Sequence, residues 1–184
     1  MSKKSIMLSS SGLRNIVQND ISEENNFIFL FGESEFKMNN LFAEFISPTV
    51  SRLHQADPTI KSINFNDLLD NLEDDDNLPI TEIFFTEDIF TIIQQISKGI
   101  STSITEEQSF KLRLVSILLG NDELFTKIDE IYPFDINESN CVLYIHYLKL
   151  FQYFQNYTQN MNRFNHTNLI EYISSHFCAI DEDE

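Results

Sequence analysis

Residues 36–60 read FKMNNLFAEFISPTVSRLHQADPTI, and this stretch decides the fold. Leu41, Phe42, Phe45 and Ile46 recur at a spacing that gathers them on one face of a helix. Asn39 and Asn40 are both fit to cap its start, because a carboxamide oxygen accepts a hydrogen bond from the free backbone N–H groups there. Ser47-Pro48 must then break the helix. The proline ring drives its predecessor out of the helical region, yet proline itself suits the first turn of a new helix. The expectation is a helical hairpin, with Val50 and Leu53 on the inner face of its second arm and Asp57-Pro58 closing the unit.

Moving toward the N-terminus, residues 26–38, NFIFLFGESEFKM, combine an apolar run rich in strand formers, a Gly-Glu-Ser turn and a second short strand. That pattern predicts a β-hairpin. The run Phe27–Phe31 is too continuous for a strand wet on one side, so it is expected to be covered on both faces. Residues 1–25 are polar and Ser-rich around Leu13, Ile16 and Val17, which would share one face of a short helix capped by Ser10 or Ser11. They are read as an N-terminal segment separate from a domain over residues 26–132.

Toward the C-terminus, IKSINF is expected to be a short strand and NDLLDNLEDDDNL (66–78) a solvated acidic loop or frayed helix. Thr86 can cap EDIFTIIQQIS, whose Ile89, Phe90, Ile93 and Ile96 form an apolar face before Gly99 stops the helix. ISTSI leans toward strand. Thr105 and Gln108 make a capping box ahead of a helix closed by Gly120, and NDELFTKIDEIY forms another that stops before Pro133. Residues 133–184 are expected to be a C-terminal helical extension with an acidic tail. Its helix carrying Leu143, Ile145, Tyr147, Leu148, Leu150, Phe151, Tyr153 and Phe154 is apolar nearly all round, so it is buried by its own domain or partly by a partner.

The resulting order is hairpin, helical hairpin, strand, helix, short strand, helical hairpin. That order, and above all the EFKMNNLFAEFISPTVSRLHQADPTI segment, resembles the BTB/POZ family, and within it a divergent BTB-like group expanded in protists. Phe36 stands at the family's aromatic position in the second strand, Ser47-Pro48 at its helix break, and Val50 and Leu53 on the helix that follows. Asn39 replaces the His common before the first helix, and the acidic Asp67–Asp76 insertion is a second departure. The resemblance implies an α+β fold in which a small mixed sheet is flanked by helical hairpins and followed by C-terminal helices. It also implies a non-catalytic protein-interaction module, self-associating as a homodimer or serving as an adaptor for a cullin-type ubiquitin ligase. A Skp-like acidic cullin adaptor is the alternative, and an enzyme of unrecognised type a third. Candidate interaction residues are Leu13, Ile16 and Val17, a segment that often joins dimers in the family, together with Leu41, Phe42 and Phe45. For the first three, folding back on their own core is the competing reading.

Charge narrows the partners. The 184-residue chain carries twenty-nine acidic and twelve basic side chains, a formal charge of −17. Such a polyanion repels nucleic-acid phosphates and anionic membranes, so neither is expected as a partner, whereas basic protein surfaces and divalent cations both stay open. No phosphate-binding glycine loop occurs, and the four histidines include no His-x-x-x-His pair. His166, His176 and Cys178 are spaced too widely for a usual zinc set. Cys178 falls near a helix end, where the dipole opposes a thiolate, and Cys141, though near a helix start, is followed by Val142, Leu143 and Tyr144 with no cation beside it. The Glu73–Asp76 run lacks the alternating ligands of a calcium loop. No catalytic residue, cofactor or metal is therefore assigned. Met1–Gly12 contains no apolar core of a signal peptide, and the expected location is the cytoplasm, with the nucleus also open to it.

Overall fold

Phe27, Phe29 and Phe31 alternate along a strand and are each at most 2% exposed, which sets the inner face of the main sheet. The computed structural model describes residues 3–8, 26–32, 34–65 and 86–133. The chain divides into two compact units, Met1–Pro133 and Phe134–Glu184, and every described element belongs to the first. In order these are β1 (Lys4–Ile6), β2 (Phe27–Phe31), β3 (Ser34–Met38), α1 (Asn40–Ile46), α2 (Pro48–Ala56), β4 (Ser62–Asn64), α3 (Glu87–Ser97), β5 (Thr102–Ile104), α4 (Glu106–Leu119) and α5 (Asp122–Ile131). The described unit is thus a mixed α/β structure of two small sheets and five helices. The expectations for Leu13, Ile16 and Val17, for the acidic stretch 66–78 and for the C-terminal helices lie outside the described residues.

The larger sheet has the order β3-β2-β4 and is itself mixed: β2 pairs antiparallel with β3, opposing Phe29 to Phe36, and parallel with β4, opposing Phe29 to Ile63. The hairpin 26–38 forms as its sequence predicts. Aromatic rings bind the sheet to the helices. Phe31 stacks on Phe65 at 4.8 Å, Phe36 on Phe90 of α3 at 4.5 Å, and His54 of α2 meets the edge of Phe27 at 5.3 Å. Both helices therefore sit on the phenylalanine side. Ile28 and Leu30, on the opposite side, are only half-buried, so β2 is less enclosed than its unbroken apolar run predicts.

A second correction concerns residues 1–25, which the sequence set apart. Lys4–Ile6 form β1, antiparallel to β5 with Lys4 opposite Ile104 and Ile6 opposite Thr102. Ile6 and Leu8 are buried, Lys4 Nζ donates to the carbonyl of Ile131 (2.8 Å), and the Lys4 ammonium lies over the Tyr132 ring. The Tyr132 hydroxyl in turn donates to the carbonyl of Ile104 (2.9 Å). A three-residue strand with one buried side chain has too little periodicity to announce itself.

The helices begin and end largely where their sequence signals lie. Asn39 caps α1, its side chain accepting from Leu41 N at 2.9 Å. Thr105 and Gln108 form the full capping box of α4. Thr86 occupies the cap position of α3, but its hydroxyl donates to Asp88 instead of accepting from the backbone. Residues Leu112–Leu119 of α4 are all buried, which makes this helix the centre of the unit.

Ser47 joins the two halves. Fully buried, it is at once the last cap of α1 and the first of α2, its Oγ accepting from Val50 N at 3.2 Å. The same hydroxyl donates to the carbonyl of Leu119 (2.8 Å), at the end of α4. Beside it, the Asn121 side chain donates to the carbonyl of Ile46 (2.8 Å) while its oxygen caps α5. Gly120, between them, has a left-handed φ of 70°, and a Cβ there would come within 2.8 Å of Thr49 Oγ1. The corner of the α1–α2 hairpin and the corner of the α4–α5 hairpin therefore interlock through polar caps. Ser47→Ala removes a cap and leaves the Leu119 carbonyl without that donor in a dry site, and is expected to cost about 2 kcal/mol. Urea unfolding checks it: a midpoint matching that of the parent chain refutes this role for the hydroxyl.

Candidate interaction surface

Helix α1 carries three of the sequence-selected residues, and the structure separates them. Phe42 is 7% exposed and, with Ala43 and Ile46, forms the buried side of α1. Leu41 is 46% exposed and Phe45 is half-buried. Spaced four apart, Leu41 and Phe45 share one flank of the helix, so they are the pair a partner could reach. Phe42 is a core residue whose face was legible, though its depth was not.

The helix presenting that flank is fixed at both ends. Asn40 N donates to the side chain of Asn26 (3.0 Å), which ties the first turn to the start of β2. Glu44, one turn along, is hydrogen-bonded to His54 of α2 with Oε1 2.6 Å from Nδ1, while His54 Nε2 lies 2.8 Å from the carbonyl of Ile60. With its side chain 7% exposed, His54 links α1, α2 and the approach to β4. Sequence reasoning left His54 without a role. A histidine and a glutamate ten residues apart carry no pairing signal until the hairpin at Ser47-Pro48 folds them together.

Arg113 was also missed. Its side chain is 1% exposed inside the otherwise apolar stretch of α4. Nε donates to Asp129 Oδ1 at 2.8 Å, NH1 to Ser109 Oγ at 3.1 Å, and NH2 to the carbonyl of Tyr132. The guanidinium thus holds the last turn of α5 against α4 and is consumed by packing, as a buried charge must be. Its neighbour Asp129 keeps a partly exposed side chain.

Among the described residues, Asp57 and Asp88 carry perturbed carboxyls, and both sit at helix ends. The hydroxyl and the N–H of Thr59 both donate to Asp57 Oδ1 (2.6 and 2.9 Å), holding that carboxyl below its ordinary 3.8. At Asp88 partial burial pushes upward, but donation from the Thr86 hydroxyl, the Gln108 amide (2.8 Å) and the Ile89 N–H, with Lys111 nearby, leaves the carboxyl lowered. Among the described residues no group of three His, Cys, Asp or Glu side chains is placed to hold a metal ion. No described helix is long and apolar enough to cross a membrane. No family model, curated protein or solved structure matches this chain.

The two sides of α1 respond differently to substitution. Phe42→Ala is expected to cost about 3–4 kcal/mol of stability and Leu41→Ser less than about 0.5; equal losses in denaturant melts would refute this assignment of faces. Asp88 gives a pH dependence. A carboxyl lowered on folding contributes stability above its unfolded value, and that contribution disappears as the pH falls through the folded one. Asp88→Asn is accordingly expected to flatten the loss of stability that sets in as the pH falls below the ordinary carboxylate range, as followed by acid titration of the circular dichroism signal.

Proposed function

We propose that this chain is a BTB/POZ-like protein-interaction module that performs no catalysis and works by self-association, by docking a cullin-type ligase scaffold, or by both. The finer fold belongs to the same proposal: a BTB-like sheet flanked by the α1–α2 and α4–α5 hairpins, working in the cytoplasm or nucleus without nucleic-acid or membrane partners. Support comes from the order of elements and from the hairpin broken at Ser47-Pro48 and stacked on a sheet whose central strand is β2.

One observation carries the reading: Leu41 stands 46% exposed on a helix rigidly held by Asn39, Asn26 and the Glu44–His54 contact, with Phe45 beside it. A large apolar side chain presented from a fixed scaffold is the usual form of an interface anchor, because little conformational entropy is lost when it is covered. The net charge of −17 adds a selection rule: the surface excludes polyanions and favours partners with basic rims.

Light scattering on the purified chain tests this. The expected result is a dimer, or a monomer that captures a purified cullin N-terminal domain. Leu41→Asp is expected to weaken whichever association occurs at least about tenfold, with the fold intact by circular dichroism. A monomer that binds no cullin, or an association indifferent to Leu41→Asp, overturns the reading. A monomer that instead captures a helical partner moves it to the Skp-type adaptor.

A further inference from the structure

In a strand the N–H and the carbonyl of one residue point to the same side, and successive residues alternate. Ile28 N donates to the carbonyl of Lys61 (2.9 Å) and Phe65 N to the carbonyl of Leu30 (3.0 Å), so Ile28 and Leu30 turn their backbone groups toward β4. Phe27, Phe29 and Phe31 consequently turn theirs toward β3, where they meet Met38, Phe36 and Ser34. That leaves Glu35 and Lys37 with backbone N–H and carbonyl groups directed away from β2. The order β3-β2-β4 gives β3 no second strand among the described residues. Such an edge is a template for another strand.

The side chains along this edge complement themselves. Glu35 and Lys37 are 54% and 52% exposed and bind each other at 3.0 Å on one face, while Phe36 is half-buried on the other, the face of Phe29 and Phe90. Lysine ordinarily protects an edge by meeting its own kind in a second copy. One register escapes that repulsion. Two copies of β3 laid antiparallel about a two-fold axis at Phe36 oppose Glu35 of each copy to Lys37 of the other. Sliding the copies by two residues sets Glu35 against Glu35 or Lys37 against Lys37. A slip of one residue matches an outward-facing backbone to an inward-facing one, which no antiparallel ladder allows.

We propose that β3 is the interface for a second copy of this chain, joined edge to edge about a two-fold axis at Phe36. Each Glu35 exchanges its N–H and carbonyl bonds with a Lys37 across the axis, and the carboxylate and ammonium that pair within one copy pair between copies. Phe36 meets Phe36 at the axis in the closer kind of antiparallel pair, with Cα atoms about 4.5 Å apart. One sheet then runs through both copies, and each β3 changes from an edge strand to an interior one. The contact is isologous, so it closes at two copies. Repulsion between chains of net charge −17 is screened beyond about 8 Å at physiological salt, so the groups at the axis decide. A ladder this short buries little area, and the dimer is accordingly weak and concentration-dependent. The proposal stands on the edge of β3 and not on the α1 flank of the preceding reading.

Sedimentation velocity of the full chain over about 5–500 μM at physiological salt tests it. The expected result is a monomer–dimer equilibrium, weakened at least about tenfold by Glu35→Lys and equally by Lys37→Glu, since either sets like charges opposite each other. Mixing the two variants is expected to restore a hetero pair to within about threefold of the parent affinity, and so is combining both substitutions in one chain. Amide exchange at Glu35 and Lys37 is expected to slow as the concentration rises, because those N–H groups bond across the axis. Both positions are exposed, and circular dichroism verifies folding of every variant. Absence of a dimer over that range, a dimer indifferent to the single swaps, or a loss that mixing does not restore overturns the proposal. An association lost on Leu41→Asp but indifferent to Glu35→Lys and Lys37→Glu overturns it too and leaves the preceding reading standing. The reverse pattern overturns the preceding reading and leaves this one.

Discussion

One hydroxyl holds the described unit together. Ser47 Oγ accepts from the first turn of α2 and donates to the Leu119 carbonyl at the end of α4, so two helical hairpins far apart in sequence meet corner to corner at a single buried atom. Everything else about the arrangement follows from how tightly those corners approach. Asn121 duplicates the link from the other side, and Gly120 permits it by having no side chain to strike Thr49. Polar caps at buried helix ends are obligatory, because the end carbonyls and N–H groups cannot be left dry and unpaired. This chain meets the obligation by using one cap to serve two helices and one interface.

The legible elements were those with a local cause. Ser47-Pro48, the Thr105–Gln108 box and the glycines at 99 and 120 act within four residues of themselves, and each ends or starts a helix where the sequence says it should. What escaped has a distant cause. β1 exists because β5, nearly a hundred residues on, offers a partner, and Lys4 is useful only once Ile131 and Tyr132 stand beside it. Arg113 looks like a break in an apolar helix until Asp129, Ser109 and the Tyr132 carbonyl surround it. For the candidate surface, helical spacing put Leu41, Phe42, Phe45 and Ile46 on one face, and the structure divides them into a buried side with Phe42 and Ile46 and a flank with Leu41 and Phe45. Spacing does not measure depth, and a rotation of one residue separates the 7% exposure of Phe42 from the 46% of Leu41.

Electrostatics divides the surface more finely than the total charge suggests. Acids crowd the first turns of α3, α4 and α5, where Glu87, Asp88, Glu106, Glu107, Asp122 and Glu123 complement the helix dipoles. These placements stabilise the helices and account for part of the acidity without any ligand. The β1–β5 ribbon is the exception, basic and partly apolar.

The ribbon also constrains how the molecule is made. Ser5 and Ser101, which touch across it, are 96 residues apart, so β1 leaves the ribosome long before its mate exists. At about 5–20 residues per second, several seconds pass in which the first strand has buried neither Ile6 nor Leu8. Loop closure over that span is also a late, slow event in a chain whose helical hairpins can form from nearby residues. The ribbon therefore cannot close before β5 (Thr102–Ile104) has been made, and until then Lys4–Ile6 has no strand partner.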